Sequence, residues 1–234
     1  MSNFFDFYPP RHFDNFFLNN RLPFLCFGVA LTLFILYCPK LDRKKIENIS
    51  ITLQAFIIVG LNVWYFVSHY RWLTESLPLY HCRIFMWGLV ICHYLKLHQS
   101  KMFFAVGGLL GSTIAFAVPE TDPFNFPHIT IISFMFGHLL LFINSLLAIK
   151  IHYRKLKIGE ITIKVSLISL IMYIANWFFH GNYGFMRIPP RILAPLADKY
   201  MPFYPVSLTL LLILTVWLMN ELIYQIKKRQ NPSL

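Results

Sequence analysis

The chain has 234 residues, of which 57% are hydrophobic and only 13% are charged. Soluble domains usually carry about 25% charged residues, so this composition excludes an ordinary soluble protein and indicates a multi-pass protein of the cell membrane. The formal net charge of +11 does not point to nucleic acid, because the Lys and Arg residues cluster in short loops between apolar runs, where they set membrane orientation. We expect membrane lipids as partners and no nucleic acid, and the sequence leaves the oligomeric state open.

Seven apolar runs predict an all-α fold, a polytopic membrane bundle of about seven transmembrane helices. A helix needs roughly 20 apolar residues to cross a bilayer, and most of the runs approach that length. The chain divides into an interfacial aromatic segment (residues 1–21), a seven-helix transmembrane domain (22–224) and a basic cytoplasmic tail (225–234). The predicted spans are residues 22–38, 51–69, 79–95, 102–118, 128–149, 161–179 and 204–224.

The first two spans differ in their polar content. The first has almost none, so we expect it to face lipid. In the second, Gln54, Asn62, Tyr65 and His69 recur at intervals that place them roughly on one helical face. Polar groups inside a membrane usually face the interior of the bundle, so we expect that face to point inward.

The third and fourth spans are marked by a proline and by glycines. Pro78 precedes the third span at a first-turn position, where a proline is tolerated because the N–H that it lacks would have no partner. Gly107 and Gly111 form a small-xxx-small pair in the fourth span, which lets two helix backbones approach closely. We interpret this pair as tight helix packing.

The remaining spans carry scattered polar groups. The fifth contains His138 and Asn144, and the sixth carries a polar stripe that ends in Asn176 and His180. Most of the Lys and Arg residues lie at the C-terminus and in the loops after the first, third and fifth spans. The positive-inside rule therefore predicts a cytoplasmic C-terminus and an N-terminus outside.

The segment Leu77–Arg83 places a thiol, Cys82, between the imidazole of His81 and a guanidinium, at the start of an apolar span. Hydrocarbon penalises a charged side chain at its midplane by roughly 2.5–3.5 kcal/mol, so such groups are expected at the interface, in a protein-lined cavity or at a reactive site. A nearby Arg or protonated His, or a helix N-terminus, stabilises the nucleophilic thiolate. Cys82 is thus a candidate nucleophile, and an inert buried cysteine is the alternative.

His138 is the candidate base. It lies mid-span among apolar neighbours, where a polar group must find a partner inside the protein. Either it pairs with Cys82 as in covalent acyl transfer, or it packs against a neighbouring helix as a structural histidine. Asn144 or Asn176 is available to orient its ring. His138 lies about 15 Å along its span at 1.5 Å per residue, so the third span must tilt or be re-entrant to bring Cys82 to the same depth.

Metal and cofactor sites are not indicated. The four cysteines show no CxxC spacing, and the histidines lack the HxxxH-type spacing and the carboxylates of a hydrolytic metal centre. His93 and His98, near the cytoplasmic end of the third span, are expected to be solvated. We therefore predict no metal and no cofactor.

Several short segments, in their order and spacing, resemble the YwaF-like family of integral membrane proteins: Leu77–Arg83, Pro119, Phe126–His128, Phe136–His138 and Asn182–Phe185. These proteins are relatives of the vertebrate transmembrane protein 164 acyltransferase, a cysteine-dependent enzyme that acts on ether phospholipids. One departure is visible, because Tyr80 stands where the family has a histidine. The resemblance implies Cys82 as the nucleophile and His138 as the base.

These features predict a membrane acyltransferase or lipid hydrolase that acts on phospholipid acyl esters through an acyl-thioester on Cys82. The alternative is a non-catalytic membrane binding protein or a small-solute transporter, whose path the polar stripes would line. Arg187 and Arg191, after the sixth span, are either ligands of a phosphate headgroup or interfacial anchors. The residues that we expect to bind substrate are His81, Arg83, His128, Asn176, Asn182, Tyr183 and Arg187.

Overall fold

The protein is described by a computed structural model for residues 4–12, 16–190 and 203–231, without the side chains of residues 17 and 18. Within those ranges the chain forms seven α-helices, one short 3-10 turn (Tyr183–Phe185) and no β-strand. The all-α prediction is confirmed. The helices are α1 (Phe16–Tyr37), α2 (Arg43–Ser68), α3 (His81–Tyr94), α4 (His98–Ala117), α5 (Ile129–His152), α6 (Ile158–Phe179) and α7 (Tyr204–Gln230).

Six of these helices are long and apolar enough to cross a membrane, and α3 is shorter. It has 14 residues, about 21 Å at 1.5 Å per residue, against roughly 30 Å of hydrocarbon. The chain before it, residues 69–80, is irregular and enters the bundle, since Ser76 is only 4% exposed. Irregular backbone at membrane depth is tolerated where protein surrounds it or where it lines a cavity. The predicted third span is therefore a short, recessed helix.

The local sequence explains why α3 begins late. Arg71 and Leu73 have left-handed backbone, with φ of 46° and 59°, a conformation that a right-handed helix cannot include. Pro78 disfavours the helical conformation of the residue before it, and Tyr80 is extended at the N-cap. The first helical residue is therefore His81.

The centre of the bundle is formed by α4 and α5, against which α2 and α3 pack. The glycines of α4 permit this close approach. A Cβ at Gly107 would lie 2.5 Å from the Phe85 ring of α3, and one at Gly108 would lie 2.6 Å from Ser145 Oγ of α5. The predicted tight packing of the fourth span is confirmed. Helix α1 lies at the edge, with 11% of its apolar window buried, as expected for a helix that faces lipid.

Buried polar side chains join α2 to its neighbours. Asn144 of α5 donates to Gln54 Oε1 at 2.8 Å and accepts a hydrogen bond from Ser50. Gln54 Nε2 in turn donates to the main-chain oxygen of Met86 in α3, at 3.0 Å. Gln54 and Tyr65 are 0% and 2% exposed. The inward direction of this polar face of the second span is confirmed for these two residues.

The bundle has two ends. At one end, helices α2, α4 and α6 finish and helices α3, α5 and α7 begin; we call it the cavity end. We call the other end of the bundle the opposite end. The N-terminal segment is hydrogen-bonded to the cavity end, where the Ile129 N–H donates to the Phe4 oxygen at 3.0 Å and Asn125 donates to the His12 oxygen at 2.8 Å. Helix α1 then begins at Phe16, within the region predicted as an interfacial segment.

Candidate active site

A cavity of about 580 Å³ lies at the cavity end. Helices α2 to α7 and the turn at residues 183–185 contribute to its wall, most of which is apolar. The volume is within the range of small-molecule binding sites. Charged side chains also line it, and they come from loops and helix ends: Arg71, Glu75, Arg83, Glu120 and Asp122.

Cys82 lies in the first turn of α3 and lines this cavity. Its Sγ packs against Gly111 of α4, where a Cβ would lie 3.1 Å from the sulfur. Gly111 therefore leaves room for the thiol in addition to bringing the helices together. The N-cap residue Tyr80 makes no side-chain hydrogen bond to the first turn, so no capping side chain occupies the N–H groups of residues 81–83.

His138 lines the same cavity from α5. Its Nδ1 lies 2.7 Å from the main-chain oxygen of Phe134, one turn earlier. A carbonyl oxygen only accepts hydrogen bonds, so Nδ1 carries the proton and Nε2 keeps its lone pair. This neutral form, with Nε2 available to accept a proton, is the one that a general base needs.

The amides do not orient the His138 ring. Asn144 is bonded to α2, and the Asn176 amide donates to the main-chain oxygen of Tyr183 at 2.9 Å and accepts from its N–H at 2.6 Å. Both amides are therefore engaged elsewhere. The ring is held by its own helix instead, through Phe134.

The short α3 accounts for the common location of Cys82 and His138. A full-length third span would start at the membrane surface, far above mid-span His138. Because residues 76–80 are buried or half-buried, the first turn of α3 starts inside the bundle, and both side chains line one cavity. Arg83 lines the same cavity as the thiol and the imidazole.

Arg83 is held by a network that joins three parts of the chain. Its Nη1 donates to the main-chain oxygen of Glu75 at 3.2 Å, and its Nη2 donates to the Tyr65 hydroxyl at 2.8 Å. That hydroxyl donates to Asp122 Oδ2 at 2.5 Å. The guanidinium also lies over the rings of Tyr65 and Tyr80, 4.8 and 5.3 Å from their centroids. The rings of Tyr65 and Tyr80, together with Asp122 through the Tyr65 hydroxyl, thus stabilise the charge of Arg83. The sequence analysis missed this arrangement.

His81 lines the cavity beside Cys82. Its Nε2 is buried and has no hydrogen-bond partner in the described part of the chain. The ring edge packs against Gly184, where a Cβ would lie 2.9 Å from His81 Cε1 and 2.3 Å from Met172 Sδ. Gly184 also has a φ of 62°, so both space and backbone conformation favour glycine there. A buried polar nitrogen without a partner is a group that a ligand can satisfy.

Tyr183 and Asn176 position the segment before α3. Tyr183 is 0% exposed; its hydroxyl donates to the Leu73 oxygen at 2.9 Å and accepts from the Leu77 N–H at 3.2 Å. Neither it nor Asn176 is among the described residues that line the cavity. Their contacts support a role in holding the recessed segment rather than direct contact with a substrate.

Asn182 and Arg187 lie at the turn that follows α6. Asn182 lines the cavity, and its Oδ1 accepts from the N–H groups of Arg187 and Ile188 at 3.1 and 2.9 Å. The Arg187 side chain is exposed, and its Nη1 lies 3.4 Å from the Gly181 oxygen. Arg191 lies outside the described residues.

His128 is the N-cap of α5 and is 0% exposed. Its Nδ1 accepts from the Thr130 N–H at 3.3 Å, its Nε2 donates to the Asp6 oxygen at 3.0 Å, and its ring stacks on Phe124 at 4.0 Å. Burial lowers the pKa of His128, against the bond to Asp6, which favours the charged form. His128 is not among the described residues that line the cavity, and a capping role accounts for its position.

Comparison with family models gives a match to the TMEM164 family over residues 7–220. The chain belongs to the TMEM164 family. No curated protein and no solved structure matches it. Membership agrees with the resemblance seen in the sequence and with the multi-pass membrane protein that the six long apolar helices indicate.

A second group of titratable residues, which the sequence analysis missed, lies at the opposite end. Lys101 donates to Glu47 Oε1 at 2.7 Å and to His93 Nδ1 at 3.0 Å. His152 Nε2 lies 3.2 Å from Glu47 Oε2, and the His98 ring stacks on His152 with centroids 4.9 Å apart. His93, expected to be solvated, is partly exposed, and its ring also binds the buried Lys101. Over the described ranges, no group of three or more His, Cys, Asp or Glu side chains is arranged to hold a metal ion.

Proposed function

We propose that the protein is a membrane acyltransferase or lipid hydrolase that acts on phospholipid acyl esters in the cell membrane, with Cys82 as nucleophile and His138 as base. The observation that carries the proposal is that both side chains line one cavity. The bond from His138 Nδ1 to Phe134 makes Nε2 the acceptor nitrogen of the neutral ring. Membership in the TMEM164 family supports it, because the resemblance implies the same pair of residues.

The cavity has the polarity that a phospholipid requires. Charged groups such as Arg71 and Glu75 line it at loops of the cavity end, and leucines of α7 such as Leu208 and Leu212 line another part. A headgroup fits the charged part and an acyl chain the apolar part. His81 also lines the cavity beside Cys82.

In the first half-reaction, His138 Nε2 takes the proton of Cys82, and the thiolate attacks the carbonyl carbon of a phospholipid ester. The S–C bond forms and the ester C–O bond breaks. The leaving lysophospholipid oxygen takes the proton from His138, and the acyl chain remains on Cys82 as a thioester. The N–H groups of residues 81–83, at the positive end of the α3 dipole, stabilise the oxyanion of the intermediate.

In the second half-reaction, the hydroxyl of an acceptor lipid or a water molecule gives its proton to His138 and attacks the thioester carbon. The new C–O bond forms, the S–C bond breaks, and Cys82 recovers its proton from His138. A mostly apolar wall limits the access of water, which favours transfer to a lipid hydroxyl over hydrolysis.

The test compares variants of the full-length protein in nanodiscs that contain a phospholipid acyl donor. Cys82→Ala and His138→Ala are each expected to lower acyl release and transfer by at least about 10²-fold, the size of a lost nucleophile or general base. Cys92→Ala is the matched control, because Cys92 is buried near the end of α3 and lies outside the cavity. Folded Cys82→Ala protein with the parent rate would contradict the proposal.

A further inference from the structure

We propose that the acyl chain of a bilayer phospholipid enters the cavity sideways, between the end of α4 and the beginning of α7. The proposal rests on the proposed function for the fate of the lipid. The route itself concerns only how a hydrocarbon chain reaches Cys82.

The packing of α7 is uneven along its length. Its buried residues, Val216, Asn220 and Ile223, lie from the middle of the helix onward, at i, i+4 and i+7 on one face. Residues 204–215, at the cavity end, include no buried residue. The first turns of α7 pack less closely, through side chains such as Leu208, Leu212 and Ile213 that are only half-buried.

Specific contacts anchor that packed half. The Asn220 amide accepts from the Leu156 N–H at 3.1 Å and donates to the Leu156 oxygen at 3.2 Å. Lys155 forms an ion pair with Glu221 at 2.9 Å and lies 3.9 Å from the centroid of the Tyr224 ring. These contacts fix the second half of α7 to the loop between α5 and α6.

Helix α4 also becomes more exposed toward the cavity end. Met102 and Phe103, near its start, are 0% exposed, whereas Ile114 near its end is 49% exposed. Ile114 lines the cavity, and so does Leu211 of α7, which is 48% exposed. Side chains that line the cavity and are also half-exposed border an opening. As the described residues form it, the opening lies between α4 and α7 at the cavity end.

The chemistry of the opening selects a hydrocarbon chain from the bilayer. Both helices are long enough to span the membrane, so the medium outside the opening is lipid. A chain that enters here leaves one apolar environment for another, whereas a chain that enters past Arg71 and Glu75 must first meet water, and each exposed methylene group costs free energy. The apolar side chains that border this part of the cavity are Leu110, Ile114, Leu208, Leu211 and Leu212.

The experiment measures access to Cys82 and needs no turnover. Full-length protein in nanodiscs is treated with a long-chain N-alkylmaleimide, which resides in the bilayer, or with a charged, water-soluble methanethiosulfonate. The rate of modification of the Cys82 peptide is followed by mass spectrometry. Leu211→Trp narrows the opening, and Leu210→Trp is the matched control, because Leu210 is 61% exposed and does not line the cavity.

We expect Leu211→Trp to slow the long-chain reagent by about tenfold, a barrier of the size that an overpacked side chain adds. The charged reagent should keep its rate in this variant, and Leu210→Trp should change neither rate. Leu211→Ala widens the opening and should speed the long-chain reagent, which keeps the test decisive if the tryptophan variant does not fold.

Equal long-chain rates in Leu211→Trp, Leu211→Ala and Leu210→Trp would overturn the lateral route. If Leu211→Trp slowed only the charged reagent, entry would lie on the side of Arg71 and Glu75. That result would overturn the lateral route as well. If the long-chain rates change as expected and Cys82 nevertheless never carries an acyl group, the proposed function fails and the route stands.

Discussion

Both ends of the bundle hold basic, acidic and imidazole side chains, but these groups have different partners. At the opposite end, Lys101 and Glu47 are 1% and 3% exposed and are bonded to each other and to histidines. At the cavity end, Arg83 is bonded to a tyrosine and to main-chain oxygens. His81 Nε2, by contrast, has no partner among the residues that the structure describes, and a cavity of about 580 Å³ lies beside it.

The comparison separates structural charges from those available to a ligand. Buried charges that satisfy one another stabilise a fold, whereas polar groups that face a cavity are available to a ligand. The location of the buried group around Lys101 and Glu47 also bears on whether the protein is a transporter. Glu47 and Lys101 are buried and paired at the opposite end, whereas the cavity lies at the cavity end. The arrangement therefore favours a site at one end over a path between both ends.

The largest expected effect on stability comes from removing one partner of the buried ion pair between Lys101 and Glu47. Lys101→Met leaves Glu47 buried with only His152 as a partner, and losing one member of a buried ion pair costs about 3–5 kcal/mol. We expect a loss of that size in the free energy of unfolding, measured by denaturation in detergent micelles. Lys155→Met, in the more exposed pair with Glu221, is the control and should change stability by no more than about 1 kcal/mol.

The double variant Glu47→Leu/Lys101→Met sharpens this result. It should be more stable than Lys101→Met alone, because replacing both partners of a buried pair with apolar residues is often nearly neutral. Both variants should keep acyl-transfer activity in their folded fraction. A folded Lys101→Met protein without activity would show that the two ends do not differ in the way described.

The next effect concerns the wall behind His81. Gly184→Ala places a Cβ in a left-handed backbone position and against Met172 and His81, which should destabilise the protein by about 1–3 kcal/mol and lower acyl-transfer turnover. Gly159→Ala is the control, since nothing lies within 4 Å of its Cβ, and it should change stability by less than about 1 kcal/mol. Thermal unfolding and turnover of the two variants give the comparison, and equal values would contradict it.

The smallest effect is a pH dependence at the His128 cap. Burial lowers the pKa of His128, whereas the unfolded chain binds this proton near pH 6.5. The stability that neutral His128 contributes is therefore complete above about pH 6.5 and is lost as the pH falls toward the folded pKa. His128→Asn keeps a capping oxygen without a titrating group. Its stability should fall less steeply below pH 6.5, by at most about 1.4 kcal/mol per pH unit, and equal slopes by denaturation would contradict this.

Local sequence patterns located the helices and the inward faces, but not the pairings between distant parts of the chain. Run length and polar spacing sufficed to place Gln54 inside the bundle. The late start of α3 depends instead on the left-handed residues Arg71 and Leu73, which have no periodic signature. Lys101 and Glu47 are 54 positions apart, and a single charge near the end of an apolar run does not reveal its partner.

The central claim is that Cys82 carries the acyl group. Its most direct test is mass spectrometry of the intact protein after incubation in nanodiscs with a diacyl phospholipid and no acceptor, followed by peptide mapping. The account predicts one added fatty acyl group on the peptide that contains Cys82, removed by neutral hydroxylamine and absent from Cys82→Ala. An unchanged mass, or the same acyl group in the parent and in Cys82→Ala, would contradict it.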